Sequence, residues 1–174
     1  MLNRIRYDYL GILTVFLVAL CGVVALFVNS FIVAHIDEGS ADNVQGVEKR
    51  FTLSGSLPMQ ATNILFCRAS VGPAGRLLIY RFSAPADELH RHAELEFASH
   101  WAGLKVIQTP ASSSPITSER IRFIRDAYSA DATWLLPPAN ASGTIYRSAH
   151  GGGGSHPLIY VDEINATLYF DMSD

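Results

Sequence analysis

Charge is scarce in this chain, and the few charges present are nearly balanced. Only 17% of its 174 residues are Asp, Glu, Lys or Arg, and the formal net charge is -3. Nucleic-acid binding depends on a surplus of basic side chains, which neutralise phosphates and release counterions. The sequence has no such surplus, so we expect no nucleic-acid partner.

Cysteine is also rare, since the chain contains only Cys21 and Cys67. Small domains that depend on disulfides carry several cysteine pairs, so a disulfide scaffold is excluded. Cys21 lies within a long apolar run, whereas Cys67 lies in a predicted strand. We therefore expect no bridge between them, and a small buried side chain is the simplest role for Cys67.

The short motifs of common catalytic and cofactor sites are missing. The sequence contains no G-x-S-x-G elbow, no P-loop, no G-x-G-x-x-G and no C-x-x-C. Three pairs of adjacent acids fall in a predicted linker, at a predicted helix start and in a predicted turn, where each has a structural explanation. We therefore expect no catalytic residue and no cofactor, and the sequence favours a protein that is not an enzyme. The acid pairs are Asp37-Glu38, Asp87-Glu88 and Asp162-Glu163.

Apolar residues, in contrast, form 49% of the chain and concentrate near the N-terminus. Residues 10–28 read LGILTVFLVALCGVVALFV. A helix that crosses a bilayer needs about 20 apolar residues, so the sequence predicts a single transmembrane helix over residues 9–36. A cleaved signal peptide is the alternative, but its apolar core is shorter and ends at a small-residue cleavage site, which is not evident here.

The charges that flank the apolar run predict its orientation. Arg4 and Arg6 precede the run, whereas Asp37 and Glu38 follow it. The basic flank of a membrane helix stays in the cytoplasm. We therefore expect a cytoplasmic N-terminal tail over residues 1–8 and an extracytoplasmic C-terminal domain, anchored in the plasma (inner) membrane.

The rest of the chain divides into a linker and one domain. Residues 37–50, DEGSADNVQGVEKR, are polar, contain two glycines and predict a flexible linker. Residues 51–174 are then one extracytoplasmic domain. Its clearest helix signal is the apolar i, i+4 spacing of Leu89, Ala93 and Phe97.

Short strand-like runs make up most of this domain. Residues 115–128 fit either a helix or a strand, and we favour a helix because Thr117 can cap its start. This order of elements predicts an α+β fold, in which an antiparallel sheet carries its helices on one face, behind the transmembrane helix. The strand-like runs cover residues 64–69, 76–82, 104–108, 143–148, 157–161 and 166–170.

One candidate metal site stands out on the predicted helix. His92, Glu96 and His100 are spaced at i, i+4 and i+8, so they share one face of that helix. Imidazole nitrogens and carboxylate oxygens are ligands that zinc accepts. The H-E-x-x-H pattern is absent and no fourth ligand is apparent, and an ordinary solvated pair at i, i+4 is the alternative explanation.

The function favoured by the sequence is that of a binding or assembly protein with a single membrane span. Its partner would be a protein in or at the membrane, such as a complex of which this chain is an accessory subunit. A sheet edge formed by residues 166–170 is the predicted place for a partner strand to add.

Two alternatives use other parts of the domain. A metal-dependent enzyme or sensor would use the candidate metal site described above. An envelope lipid-binding module would face the bilayer with the basic residues between Arg120 and Arg125 and with the glycine loop between His150 and His156.

Overall fold

The computed structural model describes residues 14–24, 34–47, 52, 54–71, 75–100, 105–149 and 157–173. Three helices and seven strands make up most of these residues. The helices are α1 (14–24), α2 (Ala86–His100) and α3 (Ser118–Tyr128). The strands are β1 (Ala34–Asn43), β2 (Thr62–Val71), β3 (Gly75–Ser83), β4 (Val106–Ala111), β5 (Gly143–Ser148), β6 (Leu158–Asp162) and β7 (Thr167–Ser173).

The strands form one sheet in the order β1-β2-β3-β7-β6-β5-β4. Every neighbouring pair is antiparallel. A tight turn at residues 163–166 joins β6 to β7, and the buried Asp162 carboxylate accepts hydrogen bonds from the Ile164 and Asn165 backbone N–H groups, each at 3.2 Å. This Asx-type turn is a structural role for one member of the acid pair there.

Both faces of the sheet are covered, and this contradicts the prediction that the helices share one face. Successive residues of β3 alternate between two separate hydrophobic cores. The α2-side core joins Tyr80, Phe82 and Phe170 to α2, whereas the α3-side core joins Ile79 and Tyr160 to α3. The prediction failed because the centre of the sheet is apolar on both of its faces, so each face must be covered.

Helix α3 resolves the ambiguity of residues 115–128. The Thr117 side chain accepts a hydrogen bond from the Arg120 N–H at 3.3 Å, which caps the helix start as predicted. Ser129 ends the helix in the left-handed conformation, with φ of 58°. Ile124 and Tyr128 are buried one turn apart, so the i, i+4 pattern prevails over the local alternation.

The predicted transmembrane helix over residues 9–36 is contradicted by the structure. Its described part is α1, residues 14–24. Residues 34–36 belong to strand β1 instead. Among the residues that the structure describes, no helix is both long enough and apolar enough to cross a membrane.

The inner-membrane location and the signal-anchor role depended on that helix, so both predictions are wrong as well. The predicted cytoplasmic tail, residues 1–8, lies outside the described residues.

The predicted flexible linker is also replaced by regular structure. Strand β1 pairs with β2 over its whole length, from Ala34 opposite Val71 to Asn43 opposite Thr62. Its residues lack apolar alternation because β1 is an outer strand whose side chains are largely exposed. The last part of the linker prediction, residues 48–50, lies outside the described residues.

Strand β7 is the central strand of the sheet. It lies between β3 and β6, with Phe170 opposite both Tyr80 and Ile159. A strand that is paired on both sides has no free edge. Residues 166–170 therefore cannot be the place where a partner strand adds, and that prediction is wrong.

Candidate functional site

Two of the three predicted metal ligands lie together inside the protein. His92 and Glu96 are one turn apart on α2, and both are buried, with exposed fractions of 3% and 0%. His92 Nε2 lies 3.3 Å from Glu96 Oε1. The third predicted ligand, His100, is at the end of α2, and its side chain lies outside the described residues. His92 and Glu96 therefore share one face of α2, as their i, i+4 spacing predicted, and this face packs against the sheet.

Ser54 joins this pair from a segment 42 residues earlier in the chain. Its hydroxyl and its backbone N–H both donate hydrogen bonds to Glu96 Oε1, the latter at 3.1 Å. Each such hydrogen bond contributes about 0.5–1.5 kcal/mol, and leaving a buried partner unpaired costs more. Glu96 therefore tethers residues 54–58 to α2. No local pattern in the sequence reveals a contact of this kind.

Tyr80 completes the cluster from the sheet. Its hydroxyl and His92 Nε2 are hydrogen-bonded at 3.2 Å. The Tyr80 ring stacks on Phe170 with 4.4 Å between centroids, and the Phe82 and His92 rings are nearly perpendicular with 5.1 Å between centroids. The cluster of Ser54, Tyr80, His92 and Glu96 is named the α2 polar cluster below.

Burial determines the charge of the histidine in this cluster. It lowers the pKa of His92 to about 4, so the imidazole is neutral near pH 7. Burial, followed by the nearby Glu96, raises the pKa of the Tyr80 hydroxyl well above its ordinary value. Both side chains therefore act near neutral pH as uncharged hydrogen-bonding groups.

This lowered pKa predicts acid sensitivity. An unperturbed histidine has a pKa of 6.5, so below that pH the unfolded chain binds a proton that folded His92 does not bind. The contribution of neutral His92 to the free energy of unfolding is fully present above about pH 6.5 and is lost as the pH falls towards 4. Between pH 7.5 and pH 5 we expect the free energy of unfolding to fall by about 2 kcal/mol through this residue. Urea unfolding at both pH values measures it.

The matched control for this experiment is His92→Gln, which keeps a polar side chain and cannot titrate. We expect the variant to lose about 2 kcal/mol of the wild-type difference between the two pH values. Identical pH dependence in the two proteins would show that His92 is protonated equally in the folded and unfolded states.

The cluster does not have the geometry of a metal centre. Among the described residues, no group of three or more His, Cys, Asp or Glu side chains is placed to hold an ion. His92 Nε2 faces Tyr80 as well as Glu96, and Glu96 Oε1 already accepts two bonds from Ser54. The geometry is that of a buried structural tether, and a site with His100 stays a prediction.

A small groove opens beside the α2 polar cluster. Its volume is about 170 Å³. The Arg91 and Glu88 side chains pair with each other at its rim, and Met59 is exposed there. The lining residues are Ser56, Leu57, Pro58, Met59, Glu88, Arg91, His92 and Leu95.

A second polar cluster connects α2 to the other half of the sheet. His90 Nδ1 and the Tyr146 hydroxyl are 2.6 Å apart, and His90 Nε2 lies 3.5 Å from Glu163 Oε1. The Thr144 hydroxyl also donates to Glu163, at 2.9 Å. Burial, with Glu94 and Glu163 nearby, raises the pKa of Tyr146 to about 12. This cluster fastens α2 to β5 and to the turn between β6 and β7.

The arginines of the predicted lipid-facing patch have different roles. Arg120 makes a two-pronged ion pair with Asp171 of the central strand, at 2.7 Å and 2.6 Å, and donates to the Ser173 hydroxyl at 2.8 Å. It is therefore committed to holding α3 on the sheet. Arg122 and Arg125 are exposed.

The remaining candidates are accounted for as follows. His150, His156 and the glycine loop between them lie outside the described residues. Cys67 is buried, and this burial, with Glu38 and Asp37 nearby, raises the pKa of its thiol to about 11. The thiol therefore stays protonated and unreactive near neutral pH.

Comparison of the chain with known protein families, with curated protein sequences and with solved structures finds no match.

Proposed function

We propose that this protein is a non-enzymatic binding and assembly protein whose α1 helix is covered by an apolar surface of a protein partner. The observation that carries the proposal is the exposure of α1. Seven large apolar side chains on this helix are between 50% and 70% exposed. They are Val15, Phe16, Leu17, Val18, Leu20, Val23 and Val24.

The distribution of these side chains indicates what must cover them. Residues 15–18 are consecutive, and consecutive residues of a helix point about 100° apart. The apolar surface therefore surrounds the helix instead of forming one stripe. A helix that is apolar on all sides is stable only when it is buried.

The described part of the folded domain does not bury these side chains. Neither the α2-side core nor the α3-side core contains a residue of α1. No large cluster of exposed apolar side chains of this kind occurs elsewhere in the described residues. Because both sheet faces are already covered, α1 is available to a partner.

The α2 polar cluster is buried and tethers chain segments, so its groups serve the stability of the fold. The proposal therefore assigns binding to α1 and stability to α2.

The test begins with the full-length protein and its α1 variant, Leu17→Gln with Leu20→Gln. Proteins that co-purify in mild detergent are identified by mass spectrometry, and the affinity of a stoichiometric partner is then measured with purified components. Removing two buried leucines from the contact costs roughly 3 kcal/mol, so we expect about a hundredfold weaker binding.

A matched control replaces two exposed aliphatic residues away from α1 by glutamine, namely Leu136→Gln with Ile164→Gln. These side chains are 41% and 61% exposed, and we expect this variant to bind as wild type does. A partner that binds the α1 variant with unchanged affinity would contradict the proposal. So would a full-length protein that binds phosphatidylcholine vesicles and no protein, because that result would favour the lipid-binding alternative.

A further inference from the structure

The two outer strands of the sheet, β1 and β4, differ in length and in proline content. Strand β1 is a terminal strand, and no described segment pairs with its outer edge. It is ten residues long and runs the length of β2. The opposite outer strand, β4, has only six residues and includes Pro110, which has no N–H to donate. Strand β1 is therefore the better template for an added strand.

The charges of β1 lie in a definite pattern. Glu38 is opposite Cys67, whose side chain belongs to the α3-side core, so Glu38 lies on that face of the sheet. Asp42 lies on the same face, because strand residues alternate and it follows four positions later. Both side chains are exposed. At about 3.3 Å per residue, the Cα atoms of the two residues are roughly 13 Å apart along the strand.

On the other face of β1, the negative charge lies opposite a positive charge. Asp37 is opposite Arg68 of β2, and both are exposed. Opposite charges on directly opposed residues of an antiparallel pair compensate each other. Asp37, Glu38 and Asp42 form no ion pair among the described residues, but only Asp37 has a cationic residue opposite it in the strand register. The uncompensated negative charge is thus on the α3 side of the edge.

We propose that β1 accepts an extended segment of a partner protein that carries Lys or Arg side chains four positions apart. The added strand would bond to the β1 backbone, which supplies affinity without regard to sequence. Its two cations would meet Glu38 and Asp42, which supplies selectivity. A second copy of this chain does not meet this requirement, because its β1 would bring further carboxylates to the same edge.

The test uses the full-length protein and a fluorescent ten-residue peptide of Thr and Val with two lysines four positions apart. We expect saturable binding, detected by anisotropy, that weakens as salt is raised. A peptide with glutamates in place of the lysines should bind at least about tenfold more weakly. A lysine peptide with N-methyl groups along one edge keeps its charge and cannot complete the ladder, so it should bind at least about tenfold more weakly too.

Matched protein variants distinguish an effect of the charges on β1 from an effect of the protein's net charge on peptide binding. Glu38→Lys with Asp42→Lys should reduce binding of the lysine peptide by at least about tenfold, whereas Glu119→Lys with Asp126→Lys, an equal change on α3, should leave it within about twofold. Glu38→Gln with Asp42→Asn is the milder version if the reversal impairs folding.

Three results would overturn the proposal. The first is that the lysine peptide binds the Glu38 and Asp42 variants as tightly as it binds the wild-type protein. The second is that the N-methylated lysine peptide binds the wild-type protein as tightly as the unmethylated one, which would indicate charge attraction without strand addition. The third is a dimer in sedimentation velocity that the edge variants abolish, which would make a second copy the occupant. Because α1 is intact in every variant, failure here leaves the proposed role of α1 unaffected, and the reverse also holds.

Discussion

Arg120→Ala should lower the free energy of unfolding by about 3 kcal/mol. The substitution removes the guanidinium that pairs with both oxygens of Asp171, whose side chain is 9% exposed. Removing one partner of a buried pair leaves the other charge without compensation, which costs about 3–5 kcal/mol. Since Arg120 itself is 25% exposed, we expect a value at the lower end of that range. Urea unfolding at pH 7 measures the change.

The control for this substitution lies on the same helix. Arg122 is exposed, so Arg122→Ala should change the free energy of unfolding by less than about 0.5 kcal/mol. The double variant Arg120→Ala with Asp171→Ala removes both charges, and we expect it to be less destabilised than the sum of the single variants. Additive losses would show that the pair does not couple α3 to the central strand.

Glu96→Ala should lower the free energy of unfolding by a similar amount, about 3 kcal/mol. The Glu96 side chain accepts two hydrogen bonds from Ser54 and lies beside His92, so its removal leaves partly buried donors without an acceptor. A buried polar group left without its hydrogen-bond partner costs about 1–3 kcal/mol, so the loss of both bonds to Ser54 accounts for a total of about 3 kcal/mol. Hydrogen exchange should also report faster exchange of the Ser54 N–H.

Two control variants test whether the loss of stability comes from the contact between Glu96 and Ser54. Glu94→Ala changes an exposed glutamate on the same helix, and we expect a loss below about 0.5 kcal/mol. Ser54→Ala removes only the hydroxyl partner and should cost about 1 kcal/mol. If Glu96→Ala were as stable as Glu94→Ala, the tether would not contribute to folding.

Local patterns in the sequence predicted most of the regular elements. The spacing of Leu89, Ala93 and Phe97 predicted α2, and all three side chains are buried. The pattern of residues 76–82 predicted β3. These predictions succeeded because a helix or strand that packs on a core repeats its apolar residues with its own period.

Strand β1 shows where local patterns stop being informative. Its sequence, AHIDEGSADN, is that of a polar linker, yet it is paired with β2 throughout. An outer strand is held mainly by backbone hydrogen bonds, which any residue except proline can make. The side-chain pattern of β1 therefore gives little indication that this segment pairs with β2.

The candidate site divides in the same way. The i, i+4 spacing of His92 and Glu96 predicted that they share one face of a helix, and the structure places them together. It did not connect them to Ser54 or Tyr80, because those contacts depend on how the segment before β2 and the strand β3 pack on α2.

Composition and periodicity were thus sufficient to identify α2, α3 and the strands that pack on a core, but not β1. The order of the strands, the central place of β7, the covering of both sheet faces and the free edge at β1 were settled only in the folded molecule. The physical reason is that periodicity reflects the surroundings of one segment. Strand order and burial instead depend on pairings between residues far apart in the chain, whose hydrogen bonds are alike for nearly every sequence.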